Sequence, residues 1–236
     1  MKETIVFVHG MCHGAWCWEE QFIPYFNKLG YNCISFNLPG HETQGSIHRI
    51  AYSLSEYVQA LRNEVEKLDE APIIIGHSMG GMILQHFLQT GACKKAVLMS
   101  SVPPSGVLYA SLRVIFRYPG VIPYLLRRNL VGAFKKYPHL MLNKAKLIAR
   151  FAHRMCAESF RAYLGLLLPI LHKSSTPILV IGGSKDGLIT VREFTSTANH
   201  YQAQLAIIEG GSHDLMLDED YEQSAQAIEK WIHSLD

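Results

Sequence analysis

A serine between two glycines is the first residue in this chain with a clear capacity for chemistry. The motif Gly-His-Ser-Met-Gly, residues 76–80, follows the apolar run Pro72–Ile75 and opens an amphipathic pattern. A serine on such a tight strand-to-helix turn has a strained backbone, and its hydroxyl projects above the carboxyl end of a sheet. The motif therefore predicts Ser78 as a nucleophile and the backbone amide of Met79 as a donor to a developing oxyanion.

A serine hydroxyl is a weak nucleophile until a base removes its proton, so a histidine and an acid should follow. Asp186 ends the turn after the apolar run Pro177–Ile181, and His213 ends the turn after the next run, Gln204–Ile208. Both side chains are then placed at the carboxyl edge of a sheet. The sequence predicts a catalytic triad in which His213 is the base for Ser78 and Asp186 orients that base.

Other positions are less suitable for the triad acid. No acid follows the run Lys95–Met99, which is the other place this architecture offers. Asp214 adjoins His213, but neighbours along a chain usually point in different directions, so we assign it no triad role. Asp186 taken alone could be a turn residue or a helix cap. Its place in chain order, after Ser78 and before His213, favours the catalytic interpretation.

A second oxyanion donor is expected from the loop after an early strand. The run Thr4–Val8 is followed by His9, Gly10 and Met11. Because a glycine precedes it, the amide of Met11 can turn toward the site and act together with the amide of Met79. The alternative is a simple strand terminator.

Apolar runs and helical patterns alternate along the chain, and these elements must position the site. The runs are Thr4–Val8, Asn32–Phe36, Pro72–Ile75, Lys95–Met99, Pro177–Ile181 and Gln204–Ile208, and the helical patterns are Trp16–Leu29, Leu54–Leu68, Met79–Gln89, Val191–Asn199 and Asp220–Leu235. This alternation predicts an α/β fold with a predominantly parallel sheet and helices on both faces. Because the first run already carries the oxyanion loop, a leading antiparallel hairpin should be missing or minimal.

The alternation stops between residues 103 and 175, where helix-like segments are punctuated by prolines. We predict one α/β domain formed by residues 1–102 and 176–236, here called the body, with residues 103–175 inserted as a helical lid. The lid contains twelve Lys and Arg but a single acid, Glu158, so its formal charge is +11. The body carries −9, and the total of +2 conceals this division.

Length and composition exclude several classes of protein. A chain of 236 residues with 48% apolar and 18% charged residues is neither disordered nor a disulfide scaffold. Five scattered cysteines and the lack of a leader-like segment favour a reducing, cytoplasmic setting. No apolar run approaches the roughly 18 residues of a membrane span. No dinucleotide fingerprint or P-loop occurs, so we expect no cofactor.

Three potential metal ligands, Cys12, His13 and Cys17, lie in one short loop. No second cluster with the usual spacing accompanies them, so packing around the oxyanion loop is the favoured interpretation. We therefore expect no bound metal.

With these motifs, the chain resembles the α/β-hydrolase superfamily over essentially its whole length. Residues 9–18, His-Gly-Met-Cys-His-Gly-Ala-Trp-Cys-Trp, are also similar to the corresponding loop of the plant methylesterase and hydroxynitrile lyase branch. The resemblance implies a carboxylesterase-like serine hydrolase with the triad and the two oxyanion amides named above. Lyase activity in that branch is associated with Thr at the position of Met11 and Lys at the position of Asp214, and this chain has neither.

Inserted segments in this superfamily form lids over the serine, and such a lid selects the substrate. This lid is rich in apolar residues, so its inner face should be apolar. We predict that an acyl-enzyme mechanism cleaves a small-molecule carboxylic ester or thioester with a hydrophobic acyl or aryl part. The alternatives are a C–C bond-cleaving lyase or cofactor-free oxygenase on the same scaffold, and a non-catalytic receptor for a small ligand.

Three interpretations of the lid's positive charge remain open. It could favour a substrate with an anionic head group, or attach reversibly to anionic lipid through Leu108–Leu130, or simply face the acidic body. Nucleic acid is not an expected partner, since no motif accompanies the charge. The oligomeric state is not indicated.

Overall fold

The predicted alternation produces one parallel sheet in the computed structural model, which describes residues 3–41 and 52–234. The strands are Thr4–Val8 (β1), Asn32–Ser35 (β2), Ile73–His77 (β3), Lys95–Met99 (β4), Ile178–Gly183 (β5) and Gln204–Ile208 (β6). They lie in the order β2-β1-β3-β4-β5-β6, and every pair is parallel. The predicted fold class and all six predicted strands are confirmed.

Burial across the sheet explains why the runs are continuously apolar. All residues of β3, β4 and β5 are buried, whereas the edge strands β2 and β6 contain half-buried and exposed residues. Central strands of a parallel sheet are covered on both faces, so both faces must be apolar. This buried centre provides a rigid base for the loops at the ends of the strands.

Eleven α-helices occur in the described part of the chain. They are Trp16–Glu19 (α1), Phe22–Lys28 (α2), Leu54–Val65 (α3), Met79–Phe87 (α4), Leu108–Arg117 (α5), Ile122–Leu126 (α6), Leu130–Lys136 (α7), Ala145–Phe151 (α8), Phe160–Gly165 (α9), Val191–Tyr201 (α10) and Tyr221–His233 (α11). The prediction of one helix from Trp16 to Leu29 is wrong, because α1 and α2 are separate. Pro24 explains the break: it has no N–H for the carbonyl of Glu20, and its ring would clash with that carbonyl in a continuous helix.

The order of the strands places two loops of interest side by side. The strand order changes direction at β1: β2 is added on one side of β1, and β3 to β6 are added on the other side. α11 packs against α2 on one face of the sheet, and α3 packs against α4 on the other. A right-handed crossover from β5 to β6 places α10 on the same face as α3 and α4. The loops after β1 and β3 therefore meet at the carboxyl edge, which is the usual ligand position in open α/β sheets.

The predicted lid interval, residues 103–175, contains α5 to α9 and no strand. Within the part of the chain that the structure describes, six of its twelve bases form ion pairs with acids of the body: Arg113 with Glu193, Lys144 and Lys146 with Glu219, Arg150 and Arg154 with Glu20, and Arg161 with Glu56. The acidic body is thus one partner of the basic lid. Within residues 3–41 and 52–234, no helix has the length and apolar character needed to cross a bilayer.

Candidate active site

Ser78 lies on the turn between β3 and α4, and its backbone is strained. Its φ is 52° and its ψ is −114°, a combination that residues with a side chain rarely adopt. The turn also requires its flanking glycines. A Cβ on Gly76 would lie 2.5 Å from the carbonyl oxygen of Gly80, and a Cβ on Gly80 would overlap the carbonyl oxygens of Val8 and His9. The glycines of the motif therefore have the steric cause that the sequence suggests.

The three residues of the predicted triad lie in one hydrogen-bonded line. The Nε2 of His213 is 3.0 Å from the Oγ of Ser78, and the Nδ1 of His213 is 2.8 Å from the Oδ2 of Asp186. The other oxygen of Asp186 accepts the amides of Leu188 at 2.8 Å and Ile189 at 2.9 Å. These amides fix the carboxylate, so the carboxylate fixes the orientation of the imidazole.

Electrostatics prepare His213 to accept a proton. Burial lowers the pKa of its ring, but the negative charge of Asp186, the hydrogen bond that the ring donates to Asp186 and the charge of Asp214 raise the pKa above its ordinary value of 6.5. The ring is thereby a stronger base than a buried histidine without such partners. Its Nε2 faces the serine hydroxyl, so the arrangement can move the serine proton to His213.

The loop after β1 packs closely against the nucleophile turn. Val8 is paired with Gly76 across the sheet, and a Cβ on Gly10 would lie 2.6 Å from the Nδ1 of His77. In the described chain, the amide of Met11 has no hydrogen-bond acceptor, and the amide of Met79 is the first of α4, where helical acceptors are absent. Met11 and Met79, the residues predicted for the oxyanion hole, both line the cavity that Ser78 lines.

A cavity of about 100 Å³ opens onto Ser78 and His213. Apolar side chains from the body and the lid form nearly all of its wall. The lining residues are Met11, Ser78, Met79, Val102, Val107, Ala110, Ser111, Val114, Ile115, Val121, Leu125, Leu130, Ala133, Phe134, Leu140, Met141, Tyr163, Leu166, Leu188, Ile189 and His213. The hydroxyl of Tyr163 donates a hydrogen bond of 2.9 Å to the hydroxyl of Ser111. No Asp, Glu, Lys or Arg of the described chain lines this space.

A buried network behind His213 was missed by the sequence analysis. The carboxylate of Asp214 lies 3.3 Å from the Nε2 of His13 and 3.5 Å from the Nε2 of His77. The same nitrogen of His77 is 3.1 Å from the backbone carbonyl of His213. Burial and the nearby His213 lower the pKa of His77 to about 3, so this ring is neutral and can donate from Nε2. Asp214 raises the pKa of His213 through its charge and lies outside the hydrogen-bonded line of Ser78, His213 and Asp186.

His13, considered above as a metal ligand, has both ring nitrogens engaged. Its Nδ1 is 2.8 Å from the carbonyl of Met11, and its Nε2 faces Asp214. Although burial lowers its pKa, the charge of Asp214 and the hydrogen bond between them raise it. A ring that faces two oxygen acceptors is a double donor, so His13 forms a buried ion pair with Asp214. No spacing pattern joins residues 13 and 214, and the sequence alone offered no signal for this contact.

In the described residues, one group of three side chains has potential metal-ligand atoms within 4.8 Å of one another: His77, His213 and Asp214. Both nitrogens of His213 are already hydrogen-bonded to the other triad members. The cluster therefore suits the triad and its supporting network better than a cation.

Comparisons with known proteins agree with this geometry. A family model described as alpha/beta hydrolase family matches residues 5–227. Methylesterase 2 of Arabidopsis thaliana is 37% identical over 87 residues, which cover 35% of this chain and 32% of that protein. Salicylic acid-binding protein 2 of Nicotiana tabacum is 35% identical over 88 residues, covering 36% of this chain and 34% of that protein. The predicted likeness to the plant methylesterase branch is confirmed, and the match spans about a third of the length of these relatives.

Among solved structures, a methylesterase from Arabidopsis has a TM-score of 0.70 at 20% identity, covering 98% of this chain and 100% of that chain. An esterase from Thermogutta terrifontis has a TM-score of 0.76 at 19% identity, covering 99% of this chain and 90% of that chain. These likenesses concern the fold and extend through the lid interval.

Proposed function

The chain belongs to the alpha/beta hydrolase family, and from this membership we propose that it is a serine esterase. Its substrate is a small carboxylic ester or thioester with an apolar acyl or aryl part. One observation carries the proposal: the hydrogen-bonded line from Asp186 through His213 to Ser78 ends in an apolar cavity. A candidate nucleophile, its base and an apolar binding space are thus combined in one place.

The proposed reaction has two halves. In the first, the Nε2 of His213 takes the proton of Ser78 while the Oγ attacks the ester carbonyl, and the amides of Met11 and Met79 stabilise the oxyanion. The tetrahedral intermediate collapses, and His213 gives its proton to the leaving alcohol or thiol. In the second half, His213 deprotonates a water that attacks the acyl-enzyme, and the acid is released as Ser78 recovers its proton. Asp186 stabilises the imidazolium in both halves.

The cavity favours an uncharged acyl part. Its wall has no charged side chain in the described chain, and burying an unpaired charge in such a space is costly. Arg113 borders the cavity residue Leu188, but its guanidinium already donates to the Leu188 carbonyl at 2.5 Å and to Glu193 at 2.8 Å. An anionic head group would therefore lie outside the cavity, and we propose esters of neutral apolar acids as substrates.

A panel of p-nitrophenyl esters tests the proposal, with neutral acyl groups of graded length beside a dicarboxylic half-ester. The wild type should hydrolyse the neutral esters preferentially, and Ser78→Ala should lose at least about 10⁴-fold in kcat. Circular dichroism checks that the variant is folded. Full activity in Ser78→Ala would contradict the assignment of Ser78 as the nucleophile.

Labelling by a fluorophosphonate separates the rival functions. An esterase should form a stable adduct on Ser78, and the adduct should be absent in Ser78→Ala. A lyase or cofactor-free oxygenase need not form an acyl-serine, and the Asp214 carboxylate would oppose a cyanide leaving group. A receptor would bind ligand without turnover of any ester in the panel.

We also propose that the lid contacts anionic lipid. Several of its apolar side chains face solvent, including Phe116 at 83% exposed and Leu126 at 79% exposed. Arg117, Arg127 and Arg128 stand beside them and form no ion pair with an acid of the described chain. Exposed apolar side chains interleaved with unneutralised arginines are typical of interfacial membrane binding.

Vesicle co-sedimentation tests this contact. The protein should bind vesicles that contain phosphatidylglycerol, should bind pure phosphatidylcholine poorly, and should be released by salt. The double variant Phe116→Ser/Leu126→Ser should lose binding while keeping its activity on a soluble ester. Equal recovery with neutral and anionic vesicles would contradict the proposal. For location we propose the cytoplasm, on the odd number and scatter of the cysteines.

A further inference from the structure

The only acid of the lid is buried against the body. The side chain of Glu158 is 0% exposed, in contrast to the twelve bases that share its segment. A buried carboxylate is costly unless several donors satisfy it. Its position therefore needs a local cause, and its contacts supply one.

Four donors surround the Glu158 carboxylate. The Oε1 accepts the hydroxyl of Tyr57 at 2.9 Å and the amide of Ser159 at 2.7 Å. The Oε2 accepts the backbone amide of Cys12 at 3.1 Å and lies 3.1 Å from the Nε2 of His41. Burial raises the pKa of Glu158, but the charge and hydrogen bond of His41 and the two amides lower it further, so the group is ionised.

The Cys12 contact lies directly beside the oxyanion loop. Cys12 follows Met11, and its φ of 63° is unusual for a residue with a side chain. The same lid segment binds the loop twice more: the amide of Cys156 donates to the carbonyl of Cys12 at 2.9 Å, and the Sγ of Cys156 donates to the carbonyl of His13 at 3.2 Å. The lid thus fixes the peptide group that follows the Met11 amide donor.

We propose that Glu158 is a positioning residue for the oxyanion hole, so that docking of the lid completes the catalytic site. This inference rests on the proposed esterase function. By holding the Cys12 amide in a strained turn, Glu158 orients the Met11 N–H toward the developing oxyanion. Because that interaction strengthens in the transition state, the loss of Glu158 should reduce kcat more than it raises KM.

Three variants test the proposal. Glu158→Ala removes the acceptor of the Cys12 amide and should lower kcat roughly 10- to 100-fold with KM within about threefold. Glu158→Gln keeps one oxygen for that amide and should recover most of the lost kcat. Tyr57→Phe is the matched control, because it removes a donor from the other carboxylate oxygen only, and its kcat should stay within about threefold of wild type.

A transition-state mimic separates positioning from stability. Phenylboronic acid forms a tetrahedral adduct with a catalytic serine, so its affinity should fall in Glu158→Ala in parallel with kcat, whereas melting temperatures should fall in both Glu158→Ala and Tyr57→Phe. Unchanged kcat and boronate affinity in Glu158→Ala would overturn the inference. So would equal kcat losses in the alanine variant and the control. An active wild type with an inactive Ser78→Ala keeps the esterase proposal standing in either case, whereas an inactive wild type overturns both.

Discussion

The body and the lid place their charged groups in opposite ways. In the body, the acids nearest the reaction centre, Asp186 and Asp214, are buried and held by histidines. In the lid, the bases lie on the outside and the single acid, Glu158, is buried against the body. The sheet of the body can hold buried charge at fixed positions because its loops are anchored by strands. The lid consists of short helices that bring apolar side chains over the site, and none of its twelve bases, all in the described part of the chain, lines the cavity.

This difference suggests that the two regions control different kinetic steps. With the proposed esterase function, chemistry would depend on the strand-end loops of the body, and binding would depend on the apolar inner face of the lid. Glu158 is the exception, because it is a lid residue that we propose positions a group used in the chemical step. Substitutions on each side of the boundary can test the comparison.

The largest effect is expected for Asp186→Asn, which removes a buried carboxylate of the body. An amide in place of the carboxylate no longer stabilises the imidazolium of His213, so kcat should fall by about 10³- to 10⁴-fold while KM changes little. Steady-state kinetics on a neutral p-nitrophenyl ester measure it, and circular dichroism controls for folding. A loss below tenfold would show that the triad line is not the reaction centre.

A moderate effect is expected for Arg113→Ala, which loosens the lid from the body. Arg113 lies on α5 and bonds to Glu193 on α10 and to the carbonyl of Leu188, which lines the cavity. Since a partly exposed ion pair contributes at most about 1 kcal/mol, KM should rise by about fivefold and kcat should hold. Arg117→Ala, one turn further along α5, is the control and should behave as wild type. A selective fall of kcat in Arg113→Ala would contradict the division of labour.

The smallest effect is expected for Asp214→Asn, which alters the charge behind the triad. The pKa of His213 is raised partly by Asp214, and only neutral His213 can act as the base. The acidic limb of the kcat/KM profile should therefore lie above pH 6.5 in the wild type and shift to lower pH in the variant. The plateau at high pH should be nearly preserved. No shift would argue that Asp214 acts only on His13. A shift to higher pH would contradict the proposed effect of the Asp214 charge on the pKa of His213.

Much of the fold, and the meeting of Ser78, Asp186 and His213, could be predicted because their signals are local. Each strand is a short apolar run, and Ser78, Asp186 and His213 each follow one of these runs. Parallel pairing then brings the ends of the runs to one edge, so their chain order carries most of the geometry. The break between α1 and α2 also has a local signal, since Pro24 lies within the predicted helix.

The remaining contacts could not be predicted, because they join groups that are far apart in the chain. His13 meets Asp214, and Glu158 meets Cys12, 146 residues away. No periodicity in the sequence links such pairs. Whether a polar side chain is buried depends on the residues packed around it, and these are known only from the tertiary structure. The division of the lid's bases into paired and unpaired sets likewise depends on which body acids the lid covers.

The sequence by itself determined the α/β alternation, the place of Ser78 on a strand-to-helix turn and the charge difference between body and lid, since composition, local pattern and chain order express these properties. Only the tertiary structure decided that Asp214 pairs with His13 and raises the pKa of His213 through its charge, and that Glu158 of the lid accepts the amide of Cys12. These depend on burial and on distances of about 3 Å between groups remote in the chain, which packing of the whole domain alone can set.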